Sequence, residues 1–303
     1  MKFLALCNEL FFRALSLLPL RVLYVFSDAL YFLVYHVVRY RRRLVRSNIV
    51  SAFSSEKDDA ELRRIERGFY HFFCDYIFET LKTLTISADE MKRRMVIEGV
   101  EAIEKEFSSS QCSQVFVYLG HYCNWEWVSS LPLWCAPTTH CAQIYRPLNN
   151  AVFEHLFVRL RSRFGAENIA KNATLRRILQ LKSQGQHTIV GFISDQSPRP
   201  ENIHVWTDFL HHDTPVFSGT ERIGKKVNAA IYFADIRRVR RGYYRCQMRK
   251  MTDRIADYPD YTLTEEYMRW LEAIIRRQPA FWLWSHNRWK HTRASVNKAS
   301  AER

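Results

Sequence analysis

The 303-residue chain lacks the marks of several protein classes. It has no glycine-rich dinucleotide fingerprint and no P-loop, so a nucleotide cradled at a helix N-terminus is not expected. Its 7 cysteines are odd in number, form no C-x-x-C pair, and several stand in apolar runs. That spacing argues against a disulfide framework and against zinc, and favours reduced, cytosol-facing thiols. No apolar segment near the N-terminus reaches the about 20 residues of a spanning helix without a charge. A cleaved signal peptide fits poorly, because no small-residue cleavage site follows a compact apolar core. Acidic residues are outnumbered, 31 Asp+Glu against 45 Lys+Arg, for a formal net charge of +14. The imbalance favours an anionic partner: nucleic acid, an anionic bilayer or a phosphorylated substrate. With 47% apolar residues the chain can bury a sizeable core, in one large domain or two modest ones.

Residues 3–38 are mostly apolar, broken by Arg13, the Pro19-Leu20-Arg21 step and Asp28. Phe3, Leu6, Cys7, Leu10, Ala14, Leu17 and Leu18 recur at helical spacing, with Glu9, Arg13 and Ser16 opposite. A second helix over 22–38 also has two faces. Val22, Val25, Phe26, Ala29, Phe32, Leu33 and Val37 make one, and Tyr24, Asp28, Tyr31 and Tyr35 the other. The basic run from Arg39 to Arg46 follows directly, which suits an anionic cytoplasmic leaflet. Residues 1–46 are therefore expected to associate with a membrane, whether across it or in its surface. The competing expectation is two helices packed on the protein itself. Residues 47–291 form the expected α/β domain, a mixed sheet flanked by helices, and 292–303 a polar tail. A long helix over 60–83 carries Phe69, Phe72 and Leu81 inward, with Asp75 and Glu79 assigned to solvent.

The stretch that organises the domain follows the strand-like Val115-Phe116-Val117-Tyr118-Leu119. Gly120 lets the chain turn and Asn124 is a fair N-cap for the helix after it. His121 and Glu126 then lie across one turn, close enough for the carboxylate to hold the imidazole. A histidine so held can take a proton from a hydroxyl. A lone His-x4-Glu arises by chance, so the other strand ends matter. A second strand, Cys141-Ala142-Gln143-Ile144-Tyr145, delivers Arg146, whose fork suits a phosphate or, equally, a surface ion pair. A third, Thr188 to Ile193, delivers Asp195 and Gln196. Val227 to Phe233 makes a fourth, with Tyr244 to Arg249 pairing at the edge. Three polar clusters on one edge of one sheet mark a site, since ligands gather at the carboxyl ends of strands.

With these blocks in order, the chain resembles the lipid A late acyltransferases (lauroyl and myristoyl transferases) within the lysophospholipid acyltransferase superfamily. The resemblance rests on Gly120-His121, Asn124-Trp125-Glu126, Tyr145-Arg146-Pro147, Asp195-Gln196 and the closing Trp282-Leu283-Trp284-Ser285-His286-Asn287-Arg288-Trp289-Lys290. Asn48 with Ala52-Phe53 adds to it, and it covers nearly the whole chain. Two places depart from the family pattern: Cys123 stands where glycine is usual, and Phe209-Leu210-His211 replaces a Phe-Phe-Gly-like block.

The resemblance implies transfer of an acyl chain from an acyl carrier protein or coenzyme A thioester to a hydroxyl of a lipid A precursor. His121 would be the general base and Glu126 its orienting partner, with no covalent enzyme intermediate. Asn124, Arg146, Asp195 and Gln196 would bind substrate or shape the site. No metal or redox cofactor is implied, and the expected location is the cytoplasmic side of the inner membrane. Three alternatives stand beside it: a lysophospholipid or aminolipid acyltransferase, a catalytically inactive membrane-surface protein, and a nucleic-acid binder. The last is disfavoured, because the aromatics follow core periodicity and no recognition motif is present.

Overall fold

The structure, a computed structural model, describes residues 2–109 and 112–296. The chain opens with helices α1 (Lys2–Leu17) and α2 (Leu20–Tyr31), separated at Pro19 and continued by a π-helical turn, Phe32–Val37. Arg39 and Arg41 take left-handed backbone and turn the chain into α3 (Arg42–Phe53). Helix α4 (Asp59–Lys82) starts where the Asp58 carboxylate accepts the Glu61 N–H at 2.8 Å, an N-cap that satisfies an otherwise orphaned donor. Next come α5 (Ala88–Arg94), β1 (Met95–Glu98), α6 (Val100–Ser109) and β2 (Gln114–Leu119). A 3-10 helix, Trp125–Leu133, leads to β3 (His140–Tyr145), α7 (Ala151–Arg161) and β4 (Glu167–Ala170). Then follow α8 (Thr174–Ser183), β5 (Thr188–Ile193) and the antiparallel pair β6 (Val205–Phe209) and β7 (His212–Val216). The last elements are α9 (Gly219–Val227), β8 (Ala230–Arg240), β9 (Tyr243–Thr252) and α10 (Thr262–Arg277).

The main sheet has seven strands in the order β1-β9-β8-β2-β5-β3-β4, giving the expected α/β architecture. Only β8 and β9 pair antiparallel; the other neighbours are parallel. All six residues of β2 are buried, as a parallel strand covered on both faces requires. Tyr267 of α10 stacks on Tyr118 and donates its hydroxyl to the Leu119 carbonyl at 3.0 Å, fixing one helix over the end of β2. Because β5 lies between β2 and β3, His121, Asp195 and Arg146 leave adjacent parallel strands at one edge.

Several local expectations change. Strand β9 is not an edge, since β1 pairs with it in parallel. The four-residue β4 has no pattern that periodicity could detect. The helix after Asn124 is 3-10 and contains Pro132. In the tail, residues 293–296 form one helical turn, and 297–303 lie outside the described residues. Asp75 and Glu79 point inward and are buried. Spacing on a helix suggested solvent, but each carboxylate has partners that only tertiary packing supplies. Asp75 is paired with Arg238 and Arg241 and accepts from Ser27 at 2.7 Å. Glu79 accepts from Tyr24, Asn124 and Tyr244, at 2.9, 2.8 and 2.8 Å.

Helix α2 is turned the reverse way to a soluble core helix. Its tyrosine face packs onto α4, while Val25 and Phe32, 67% and 61% exposed, lie on the outward apolar face with Val22, Phe26, Leu33 and Val37. Among the described residues, Leu20–Val37 is the one stretch long and apolar enough to cross a membrane.

Candidate active site

His121 sits just past β2, where the Gly120 carbonyl accepts the Tyr122 N–H at 2.7 Å and tightens the turn. A Cβ at Gly120 would lie 2.6 Å from Leu271 Cδ1, so any side chain there would require that buried leucine to move. Two residues on, Cys123 adopts φ +51°, a left-handed conformation that costs a residue with a side chain about 1 kcal/mol or more. Its N–H donates to the Phe281 carbonyl at 2.8 Å, and Trp282 bridges back to Tyr122, so the closing block clamps the turn. Burial pushes the Cys123 thiol well above its ordinary range, which keeps it protonated and a poor nucleophile.

The carboxylate on the imidazole is Asp195. His121 Nδ1 lies 2.6 Å from Asp195 Oδ1, and the His121 backbone N–H donates to Oδ2 at 2.9 Å. The Trp282 indole N–H donates to the same oxygen at 2.8 Å. Burial would raise the Asp195 pKa, but the adjacent imidazole and these three donors outweigh it and hold the group down to about 2. An ionised carboxylate only accepts, so Nδ1 carries a proton, and in the neutral ring the lone pair therefore belongs to Nε2. The Gln196 amide nitrogen lies 3.3 Å from Nε2, and the ring sits edge-on to Trp125 with centroids 5.1 Å apart.

Glu126 is held elsewhere. Arg161, at the end of α7, donates Nε to Oε2 at 2.8 Å and Nη2 to Oε1 at 2.6 Å, a two-pronged ion pair. The pair is largely buried, and the glutamate raises the arginine pKa despite its desolvation. Arg161 carried no sequence signal, since a helix arginine 35 residues from its partner resembles any surface cation. Asn124 caps the 3-10 helix by accepting the Trp127 N–H at 3.1 Å and gives its amide to Glu79. It is fully buried and works within the turn rather than in the cavity beside it.

That cavity, about 820 Å³, is lined by His121, Trp125, Glu126, Arg161 and Gln196 at one part. Its floor is the face of β2, β5 and β3, and its roof the 3-10 helix with Val128, Leu131 and Pro132. Arg146, Lys171 and Arg199 stand exposed on its rim. Desolvation and the neighbouring charges of Arg146 and Arg199 together lower the Lys171 pKa, so the three cations share one local field. Behind the site, His286 Nε2 accepts the Ser197 N–H at 3.2 Å, and burial pushes its pKa down to about 4. Neutral His286 therefore ties the closing block to the loop carrying Asp195 and Gln196.

The site thus combines an imidazole held at Nδ1 by a buried carboxylate, a cavity with a largely apolar lining and three cations on its rim. The chain belongs to the family of bacterial lipid A biosynthesis acyltransferases, whose profile matches residues 3–291. Comparison with curated proteins finds no match. Membership makes acyl transfer in lipid A biosynthesis the activity of the class.

Proposed function

We propose that this protein transfers a fatty acyl chain from a carrier-protein or coenzyme A thioester to a hydroxyl of a lipid A precursor, with His121 as general base. The observation that carries this reading is the His121 Nδ1 contact to buried Asp195 at 2.6 Å, which leaves Nε2, beside the Gln196 amide, as the nitrogen to serve the cavity that both residues line. Nε2 takes the proton of the acceptor hydroxyl as its oxygen attacks the thioester carbonyl carbon. The tetrahedral intermediate then collapses, the carbon–sulfur bond breaks, and the departing thiolate recovers the proton from the imidazolium. The orienting role falls to Asp195 in this reading, and the Arg161-anchored Glu126 forms the adjoining wall. Arg146, Lys171 and Arg199 bind acceptor or donor phosphate at the rim. Gln196 borders the reacting atoms through its contact to Nε2.

Residues 1–46 hold the protein on the membrane and 47–291 form the catalytic body. Helix α2 supports a position in the bilayer surface rather than across it. Its inward side is tied to the body by Ser27–Asp75, Tyr24–Glu79 and Asp28–Arg241, polar links that a helix surrounded by lipid would lose. Its apolar side faces outward, and exposed Arg39, Arg41 and Arg43 follow, suited to anionic headgroups on the cytoplasmic face of the inner membrane.

The test is acyl transfer by detergent-purified protein, with carrier-protein and coenzyme A thioesters offered against lipid A precursor and lysophospholipid. Wild-type protein acylates the lipid A precursor, and His121→Ala loses at least about a hundredfold in kcat. Product on lysophospholipid alone would move the reading to that acceptor class. No product on any acceptor would leave a membrane-surface protein without this chemistry.

A further inference from the structure

Glycine inside a central strand weakens it and calls for a cause. Gly191 stands in the middle of β5, paired with Val117 of β2 on one side and Gln143 of β3 on the other. Two common causes fail here. Its φ is outside the left-handed region, so the backbone does not require glycine. A Cβ built there would meet only Leu119 Cδ2 at 3.7 Å and the Ala142 carbonyl oxygen at 3.8 Å, ordinary contacts. Gly224 is the opposite case, where a Cβ would lie 2.8 Å from Ile255 Cδ1 and the packing around it would have to shift. What remains for Gly191 is the space above it. It lines the cavity and is partly accessible although its strand is interior to the sheet.

We propose that the groove between this sheet face and the 3-10 helix holds the acyl chain of the thioester donor, and that Gly191 sets the chain length it accepts. The inference rests on the acyl-transfer reading above and adds its substrate specificity. The floor carries Val117, Leu119 and Ile193 and the roof Val128, Leu131 and Pro132, so the groove suits a hydrocarbon. Sugar and phosphate belong with the cationic rim instead. His121 lies four residues beyond Val117 on the same strand direction, on the order of 13 Å from the Gly191 level. A thioester carbonyl at Nε2 thus leaves its chain free to run over the glycine. A larger side chain there fills the groove partway along.

The experiment offers decanoyl through palmitoyl thioesters on one carrier, in competition, to wild-type, Gly191→Ala and Gly191→Leu proteins with a single acceptor, and reads products by mass. Excluding about two methylenes from an apolar channel is worth on the order of tenfold. Gly191→Leu is therefore expected to lose tenfold or more in relative kcat/KM for the longest chain the wild type accepts, while the shortest is used within a few-fold of wild type. Gly191→Ala, which the open space accommodates, gives a smaller shift in the same direction and serves if the leucine variant does not fold. An unchanged length profile in both folded variants overturns the proposal. So does equal loss for every length, or a changed preference among acceptor acyl chains with the donor profile intact. A wild-type protein that transfers no chain fails the acyl-transfer reading itself, and is seen before any variant is compared.

Discussion

At the scale of single residues, the site depends on which carboxylate meets the imidazole. Asp195 is fully engaged by the His121 side chain and backbone and by Trp282, so replacing it should change the histidine tautomer more than the fold. Asp195→Asn is expected to lower kcat on the order of a thousandfold or more, as neutralising an orienting carboxylate does in serine hydrolases. Near-ultraviolet circular dichroism checks that the fold is kept. Activity within tenfold of wild type, together with a collapse in Glu126→Gln, would return the orienting role to Glu126. His286 gives a second residue-scale prediction. Its ordinary pKa of 6.5 drops to about 4 in the fold, so on acidification the unfolded chain binds this proton first. The stability it contributes is fully present above pH 6.5 and is lost as pH falls toward 4. Urea unfolding across that window should show a shallower pH slope for His286→Gln than for wild type. Equal slopes would remove His286 from the acid sensitivity of the fold.

At the scale of elements, α2 and the catalytic turn share a buried hub. Glu79 of α4 accepts from Tyr24 of α2, from Asn124 in the turn and from Tyr244 of β9, and burial raises its pKa. The helix that faces outward with its apolar side is thus joined to the turn holding His121 by two hydrogen bonds through one carboxylate. Charges on the outward side leave that hub untouched. The double variant Val25→Glu, Phe32→Glu is expected to reduce binding to anionic phospholipid vesicles about tenfold or more, since each apolar side chain contributes roughly 1.5–3 kcal/mol when buried. Co-sedimentation measures it, with unchanged thermal unfolding in detergent as the fold control. Undiminished binding would show that α2 does not dock the protein. The β6–β7 hairpin shows how a departure from the family pattern is absorbed. Leu210 and His211 both have positive φ, as a two-residue turn of this kind requires, without glycine. The Leu210 N–H donates to Glu272 at 2.8 Å, and His211 pairs with Glu56 at 2.8 Å.

At the scale of the whole molecule, charge of +14 acts over the screening length of the solution. Raising ionic strength from about 0.01 to about 0.15 M shortens that length from about 30 to about 8 Å. The KM for an acidic carrier-protein donor should therefore rise severalfold across this range in steady-state kinetics, with kcat little changed. A constant KM would take long-range charge out of donor recognition.

Much of this molecule was legible in the chain because local chemistry controls it. β-branched and aromatic runs marked β2, β3 and β5, and their order delivered His121, Arg146 and Asp195 to one edge. Asn124 was readable as a cap, and it accepts the Trp127 N–H as expected. The two faces of α2 were also readable, but which one turned outward was not. That depended on Asp75, Glu79 and Arg241, far along the chain, offering partners to Tyr24, Ser27 and Asp28. The same cause separates the two acids of the site. Glu126 is near His121 in sequence, but Arg161 holds it, whereas Asp195 reaches the imidazole from the neighbouring parallel strand. Sequence alone determined β2, β3 and β5, the Asn124 cap and the residues these strands carry to the sheet edge. Which charges meet was decided by tertiary structure, because a buried ion needs a partner and long-range packing chooses it.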